Sequence, residues 1–216
     1  MPVSVDHDGR WALGASCLRI GMGETVDVND FEWRPGETIE VDGEEAQAQA
    51  WLFRDVLGRY ASGVTVVTTS TNGEPVGMTC QSFTSVSLDP PLVAFLPTKQ
   101  SRAFASIQLA GRFCVNFLAS GQDAISNQMA SRGDDKFVGL SWVPSRITGS
   151  PLLTGILGHV DCSVHAVHEA GDHYLVIGKV VDLAVGDAED PLLYHRGAYR
   201  TSIGRPGRQG ETPPLW

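Results

Sequence analysis

Val64-Thr65-Val66-Val67-Thr68-Thr69 is β-branched throughout, and Asn72-Gly73 follows within three residues. β-Branched side chains lose rotamer freedom in a helix and fit a pleated surface. Asn-Gly supplies the two positive φ angles of a two-residue hairpin turn. These residues commit the chain to an antiparallel strand pair, with the second strand entering Pro75–Cys80. The arrangement recurs on a larger scale, where two long apolar stretches, about Leu157–His168 and His173–Leu183, are joined by Ala170-Gly171-Asp172. Ser82–Ser87, Leu92–Leu96 and Phe113–Leu118 read as further strands. Few helices intervene. Phe53, Val56, Leu57 and Tyr60 fall at i, i+3, i+4 and i+7, one face of an amphipathic helix that starts near Glu44 and is stopped by Gly63. Ser101 can cap a second helix over Arg102–Ala110 with Gly111 as its stop, and Gln122–Ser131 is a third. Hairpins with so few crossovers predict a mainly β fold, an antiparallel barrel with flanking helices rather than a doubly wound sheet.

Charge is unevenly distributed over the 216 residues. The formal net charge is −9, yet residues 1–50 hold 11 acids against 3 bases, while residues 51–216 hold 14 against 13. The acidity belongs to an N-terminal arm, residues 1–45, in which Trp11, Phe31 and Trp33 are the apolar anchors. A body this close to neutral has no basic stripe for neutralising phosphates, so nucleic acid is not the expected partner. No apolar run approaches the roughly 18 residues of a membrane span. Asp6 and Asp8 also spoil a secretory signal. Cys17, Cys80, Cys114 and Cys162 stand singly, three of them in apolar stretches, which reads as buried, reduced thiols of a cytoplasmic protein.

Several chemistries are excluded by missing motifs. There is no GxxxxGK[ST] loop and no GxSxG elbow, and Gly21-Met22-Gly23 lacks both a third glycine and a preceding strand. The run from His159 to His168 contains three histidines and Asp161, but two-residue periodicity puts Val160, Cys162, Val164 and Ala166 on the apolar face. His159 and His165 would then stand about 20 Å apart at ~3.3 Å per residue, so no metal site is expected.

Three polar clusters interrupt the apolar strands. Gly77 to Ser87 is rich in hydroxyls and amides, neutral hydrogen-bonding groups suited to a flat heteroaromatic ring. In Pro97-Thr98-Lys99-Gln100-Ser101-Arg102, two cations flank a helix start whose free N–H groups favour an anion, with phosphate the natural choice. Gly171-Asp172-His173-Tyr174 puts a histidine beside a hairpin tip. Taken together they describe a ring-plus-phosphate site, a mononucleotide-type ligand held without a Rossmann fold.

Residues 53–202 also resemble a known family. The stretches that carry the likeness are Phe53-Arg54, Ala61–Thr69, Gly77-Met78-Thr79, Ser82–Pro91, Gly111–Asn116, Asp135-Lys136-Phe137, Gly171-Asp172-His173, Pro191–Tyr194 and Gly197-Ala198-Tyr199. In this order they are similar to the flavin reductase components of two-component flavin monooxygenases, members of the FMN-binding split-barrel superfamily. The Cys80-Gln81-Ser82 variant is similar to reductases that serve actinobacterial aromatic and steroid-ring hydroxylases. The resemblance implies an antiparallel Greek-key split β-barrel over residues 46–204, with residues 205–216 as a tail.

It further implies NAD(P)H-dependent reduction of free FMN or FAD for a separate oxygenase component, in a homodimer. Thr79, Cys80, Gln81 and Ser82 would line the flavin ring edge, largely through backbone groups, with Ser85 and Ser87 nearby. Lys99, Ser101 and Arg102 would hold the ribityl phosphate. Lys136 and Phe137 fall where the family contacts flavin. His173 would contact the nicotinamide, and Tyr199 would lie near the same pocket. The competing expectation is a non-catalytic flavin-binding or electron-transfer protein of the same fold. An oxidase of a pyridoxine-like substrate is disfavoured by Gly171-Asp172-His173. The arm at 1–45 is expected to lie on the dimer or over the cleft.

Overall fold

The computed structural model describes residues 44–133 and 135–201. The acidic arm, Cys17 and the C-terminal tail therefore lie outside the described residues, apart from Glu44 and Glu45 at the start of the first helix.

Helix α1 spans Glu44–Gly58 and leads into a short strand β1, Ser62–Gly63. The first long hairpin follows, with β2 at Thr65–Thr71 and β3 at Glu74–Cys80. Asn72 and Gly73 take φ of 54° and 83°, the positive pair that the Asn-Gly turn predicts. Strands β4, Thr84–Leu88, and β5, Pro91–Phe95, form a second hairpin. Helix α2, Arg102–Ala110, begins where the Ser101 hydroxyl accepts the Phe104 N–H at 3.2 Å and ends at Gly111, whose φ of 62° is the left-handed stop. Strand β6, Arg112–Phe117, and helix α3, Asp123–Ala130, follow, then a small hairpin of β7, Trp142–Pro144, and β8, Pro151–Leu153. The long pair is β9, Gly158–Ala170, and β10, His173–Val185. Strands β11, Leu192–His195, and β12, Ala198–Thr201, close the described chain.

Seven of these strands form one antiparallel sheet in the order β3-β2-β6-β9-β10-β5-β4. Its two edge strands, β3 and β4, are neighbours in sequence, and the turn between them draws the sheet into a barrel. At this seam Ser82 holds the β3–β4 turn to the end of β5: its Oγ accepts the Leu96 N–H at 3.0 Å and donates to the Leu96 carbonyl at 3.2 Å. Inside lie Val67, Cys80, Phe95, Phe104, Phe113, Val167, Tyr174 and Val176, while a second cluster of Val64, Val66, Leu118, Met129, Leu153, Ile156 and Leu192 packs on the outer face. Val66 and Val67 point to different cores, which explains why β2 is β-branched throughout instead of alternating.

Three local readings are corrected. The first helix stops at Gly58, whose carbonyl accepts the Arg196 N–H at 2.8 Å, not at Gly63, which pairs with Leu193 in the sheet. Its apolar face does not enter the chain's own core: Phe53, Val56, Leu57 and Tyr60 are exposed. The strict alternation of β9 fails at His165, an extra residue between the Ile177–Ala166 and Gly178–Val164 pairs, so Val167 rather than Ala166 is fully buried. Asp161, assigned to the open face, is also fully buried there: the β7–β8 turn covers it, and Thr148 donates both its N–H (2.9 Å) and its hydroxyl (2.5 Å) to the carboxylate. A short hairpin folding over one face is a tertiary event that period-two reasoning does not see.

Candidate functional site

The ladder of β3 ends at Cys80, and the next residues turn across the seam. Cys80 is buried; desolvation raises its thiol pKa, partly offset by Ser82, whose Oγ lies 3.1 Å from Sγ. Burial thus favours the neutral thiol over the nucleophilic thiolate. The Ser82 side chain is occupied in joining Leu96, so a ligand here would meet backbone groups. Gln81 is exposed, and its side-chain carbonyl accepts from the Ser62 hydroxyl at 3.4 Å. Ser85 and Ser87 flank a bulge at Val86 in edge strand β4.

Lys99, Ser101 and Arg102 stand at the start of α2, whose first turn holds no acid. Ser101 caps the helix and also donates to the Met78 sulfur at 3.4 Å, tying the helix start to β3. Lys99 bridges to Glu169 at 3.1 Å and lies 5.6 Å from the centre of the Tyr174 ring. Arg102 donates to the Arg132 carbonyl. Lys136 comes from the far side of α3, with its ammonium on the carbonyls of Met129 (2.9 Å) and Gly77 (3.3 Å). Burial first, and then the Arg102 charge, lowers its pKa. Two cations that raise one another's energy beside a helix start free of acids form an anion-seeking arrangement.

The hairpin tip before β10 reaches the same place. Gly171, at φ 63°, makes the turn. The Lys99 N–H donates to the Asp172 carbonyl at 3.0 Å, the Tyr174 N–H donates to the Pro97 carbonyl at 2.9 Å, and Thr98 bridges His173. Two sequence clusters some 70 residues apart are thus stapled into one ledge, with His173 at one end and the cationic helix start at the other. His173 Nδ1 lies 2.7 Å from Asp172 Oδ1.

The remaining expected residues turn toward α3. β3 divides its faces, so that Met78 meets Ser101 whereas Thr79 donates to the Ser126 carbonyl at 2.5 Å. The Tyr199 hydroxyl reaches Ser126 Oγ (2.9 Å) and Asn127 Oδ1 (2.8 Å). Phe137 packs edge-on against Trp142, with ring centres 6.0 Å apart, and belongs to the second core. A Cβ built on Gly77 would lie 2.9 Å from the Met129 sulfur and 3.3 Å from the Phe137 ring, so a side chain there would displace Met129.

Beside Gln81 opens a cleft of about 290 Å³ lined by Tyr60 to Thr65, Phe83, Phe117, Leu118, Leu157, Pro191 and Leu192. It is near the lower bound for small-molecule sites. Gln81 alone among the expected residues lines it. Phe83 and Phe117, whose rings pair at 5.3 Å, were legible only as core aromatics. The run of small residues Ala61-Ser62-Gly63 was the one available signal of an open wall.

Residues 57–202 match the family described as flavin reductase like domain. Over 164 residues the chain is 48% identical to the reductase subunit HsaB of a flavin-dependent monooxygenase from Rhodococcus jostii (strain RHA1), covering 74% of this chain and 84% of that one. The crystal structure of nitrilotriacetate monooxygenase component B from Mycobacterium thermoresistibile superposes with a TM-score of 0.71 at 47% identity, over 80% of this chain and 94% of the other. The NADH:FAD oxidoreductase SgcE6 of Streptomyces globisporus, in complex with NAD and FAD fragments, gives 0.70 at 33% identity, over 78% and 99%.

Proposed function

The chain belongs to the flavin reductase like family, and on that premise we infer that it is an NAD(P)H:flavin oxidoreductase, the reductase component that supplies reduced flavin to a separate monooxygenase. The observation that carries this reading is the ledge on which a cationic helix start and the His173 hairpin are held by shared backbone hydrogen bonds.

The donor set suits the two substrates. The N–H groups at the start of α2 with Lys99, Arg102 and Lys136 match a flavin phosphate. Backbone groups of Thr79 to Ser82 meet the polar ring edge, with Ser85 and Ser87 beside it. His173 meets the nicotinamide, and Tyr199 and Phe137 brace the α3 side from which Lys136 reaches in. The dihydronicotinamide and the flavin carry out the hydride transfer between themselves, so the protein's task is to bring them into register and exclude competing geometry. The Cys80 thiol stays protonated and takes no part.

The test is NADH oxidation with FMN, FAD and riboflavin compared, repeated with NADPH. Turnover with a phosphorylated flavin, and a KM for riboflavin raised about ten- to a hundredfold by loss of a charge-assisted contact, is the expected result. Equal KM values for all three flavins would remove the phosphate role of the ledge. A protein that binds flavin yet leaves NADH unoxidised would be a carrier instead.

The same reading includes a homodimer. Trp51, Leu52, Phe53, Val56, Leu57 and Tyr60 lie exposed on and just after α1, an apolar area that a second copy would cover; light scattering after gel filtration tests it. Among the described residues no helix is long and apolar enough to cross a membrane, and three free, buried cysteines agree with a reducing cytoplasm. The reductase domain is taken as residues 46–204, with 1–45 a separate arm and 205–216 a tail, boundaries that limited proteolysis would map.

A further inference from the structure

The His173 imidazole is partly open to solvent at the hairpin tip, its side chain 36% exposed. Nothing in such a position selects one ring tautomer over the other unless a neighbour does. The neighbour is Asp172, with Oδ1 2.7 Å from Nδ1. An ionised carboxylate only accepts hydrogen bonds, so the proton in this contact sits on Nδ1. We propose that Asp172 is a positioning residue for the reductase reaction: it holds His173 with the proton on Nδ1, so that Nε2 faces outward as the nitrogen that accepts from the carboxamide N–H of the dihydronicotinamide. This rests on the reading of His173 given above.

Three features support the assignment. The Asp172 side chain is not needed to hold the tip, because the staples to the 97–101 loop use its backbone carbonyl, the Tyr174 N–H and the Thr98–His173 bridge. The charged groups around the pair are Lys99, from the loop before α2, and Glu169, near the end of β9; Glu169 is engaged by Lys99 at 3.1 Å, and Lys99 also acts on Asp172. Asp172 is therefore the acid left for the imidazole. Its carboxyl is held below the usual range, first by the hydrogen bond from His173 and last by Lys99, so it remains ionised throughout the neutral range.

The tautomer is measured on the full-length protein labelled with ¹⁵N-histidine, using His173→Ala to assign the signal. The expected signature is a pyrrole-type Nδ1 and a pyridine-type Nε2, lost in Asp172→Ala. In steady-state assays with NADH, Asp172→Ala should raise KM about three- to tenfold, the range of one partly exposed hydrogen bond, with kcat changed less than about twofold. Flavin Kd, read by fluorescence quenching, should not move. In the His173→Ala background the second substitution should add nothing. A proton on Nε2 in the wild type overturns the proposal, as does an equal effect of Asp172→Ala with and without His173. If His173→Ala raises KM while Asp172→Ala does not, the positioning role alone falls. If His173→Ala leaves KM unchanged although the tautomer signature is present, the nicotinamide contact falls as well.

Discussion

Ser82→Ala tests whether one hydroxyl both holds the β3–β4 turn to the end of β5 and shapes the site. Ser82 Oγ accepts the Leu96 N–H at 3.0 Å and donates to the Leu96 carbonyl at 3.2 Å. A typical intramolecular hydrogen bond contributes a net ~0.5–1.5 kcal/mol. Two such bonds give about 1–3 kcal/mol. Ser82 and Leu96 are only partly buried, so water replaces some of the loss and the lower half, about 1–2 kcal/mol, is expected. For a domain of this size that corresponds to a fall in Tm of roughly 2–8 °C. Urea unfolding at fixed protein concentration should show a lower midpoint with an unchanged slope, since the surface exposed on unfolding does not change. The seam also leads through Pro97 and Thr98 to Lys99, so flavin Kd should weaken along with stability. Ser82→Thr, which keeps the hydroxyl, should restore both. A loss below about 0.5 kcal/mol with unchanged flavin affinity would refute this anchoring role of the Ser82 hydroxyl.

Lys99→Ala and Arg102→Ala should each weaken FMN binding about tenfold and riboflavin binding hardly at all, because only FMN offers a phosphate; equal losses for both ligands would place the cations elsewhere. Burial pushes the Cys162 thiol up to about 12 from 9.0. A raised thiol pKa leaves stability flat below pH 9 and lowers it above, where only the unfolded chain ionises, by about 1.4 kcal/mol per pH unit for each thiol. The midpoint of Cys162→Ala, followed from pH 8 to 10.5, should therefore fall less steeply than that of the wild type; parallel curves would contradict the burial. Gly178→Ala should destabilise by about 3 kcal/mol or more, because its Cβ would stand 2.4 Å from the Phe113 ring and 3.2 Å from Cys162 Cβ, both in the core; normal expression and Tm would refute it.

Turns and caps that depend on a few adjacent residues are legible in the sequence, although the stop of α1 falls at Gly58 and not at Gly63. The Asn72-Gly73 turn, the Ser101 cap with its Gly111 stop, and the paired strands around Gly171 depend on a few adjacent residues, and each stands where it was expected. Long-range events were not legible. The β7–β8 hairpin folds over Asp161, a register slip at His165 reverses which side chains are buried, and α1 turns its apolar residues away from the chain's own core. The candidate site divides along the same line. The cationic helix start could be argued from Lys99, Ser101 and Arg102 alone. That His173 is stapled to it, or that Thr79 and Tyr199 meet through Ser126, could not, because strand order decides both.

A physical reason connects these findings. Hydride transfer between two cofactors asks for position rather than for acids, bases or nucleophiles, and this barrel gives its site side chains structural duties. Ser82 holds the β3–β4 turn to Leu96, Ser101 caps α2 and holds Met78, Thr79 anchors α3, and Lys136 bridges Met129 to Gly77. What remains for a ligand is backbone, cationic charge and one oriented imidazole. Substitutions in the first set should therefore change stability and flavin affinity together, as argued for Ser82. Changes at His173 or Asp172 should act on the nicotinamide step alone. That separation follows from the hydrogen bonds each side chain makes, and distance from the ligand does not enter into it.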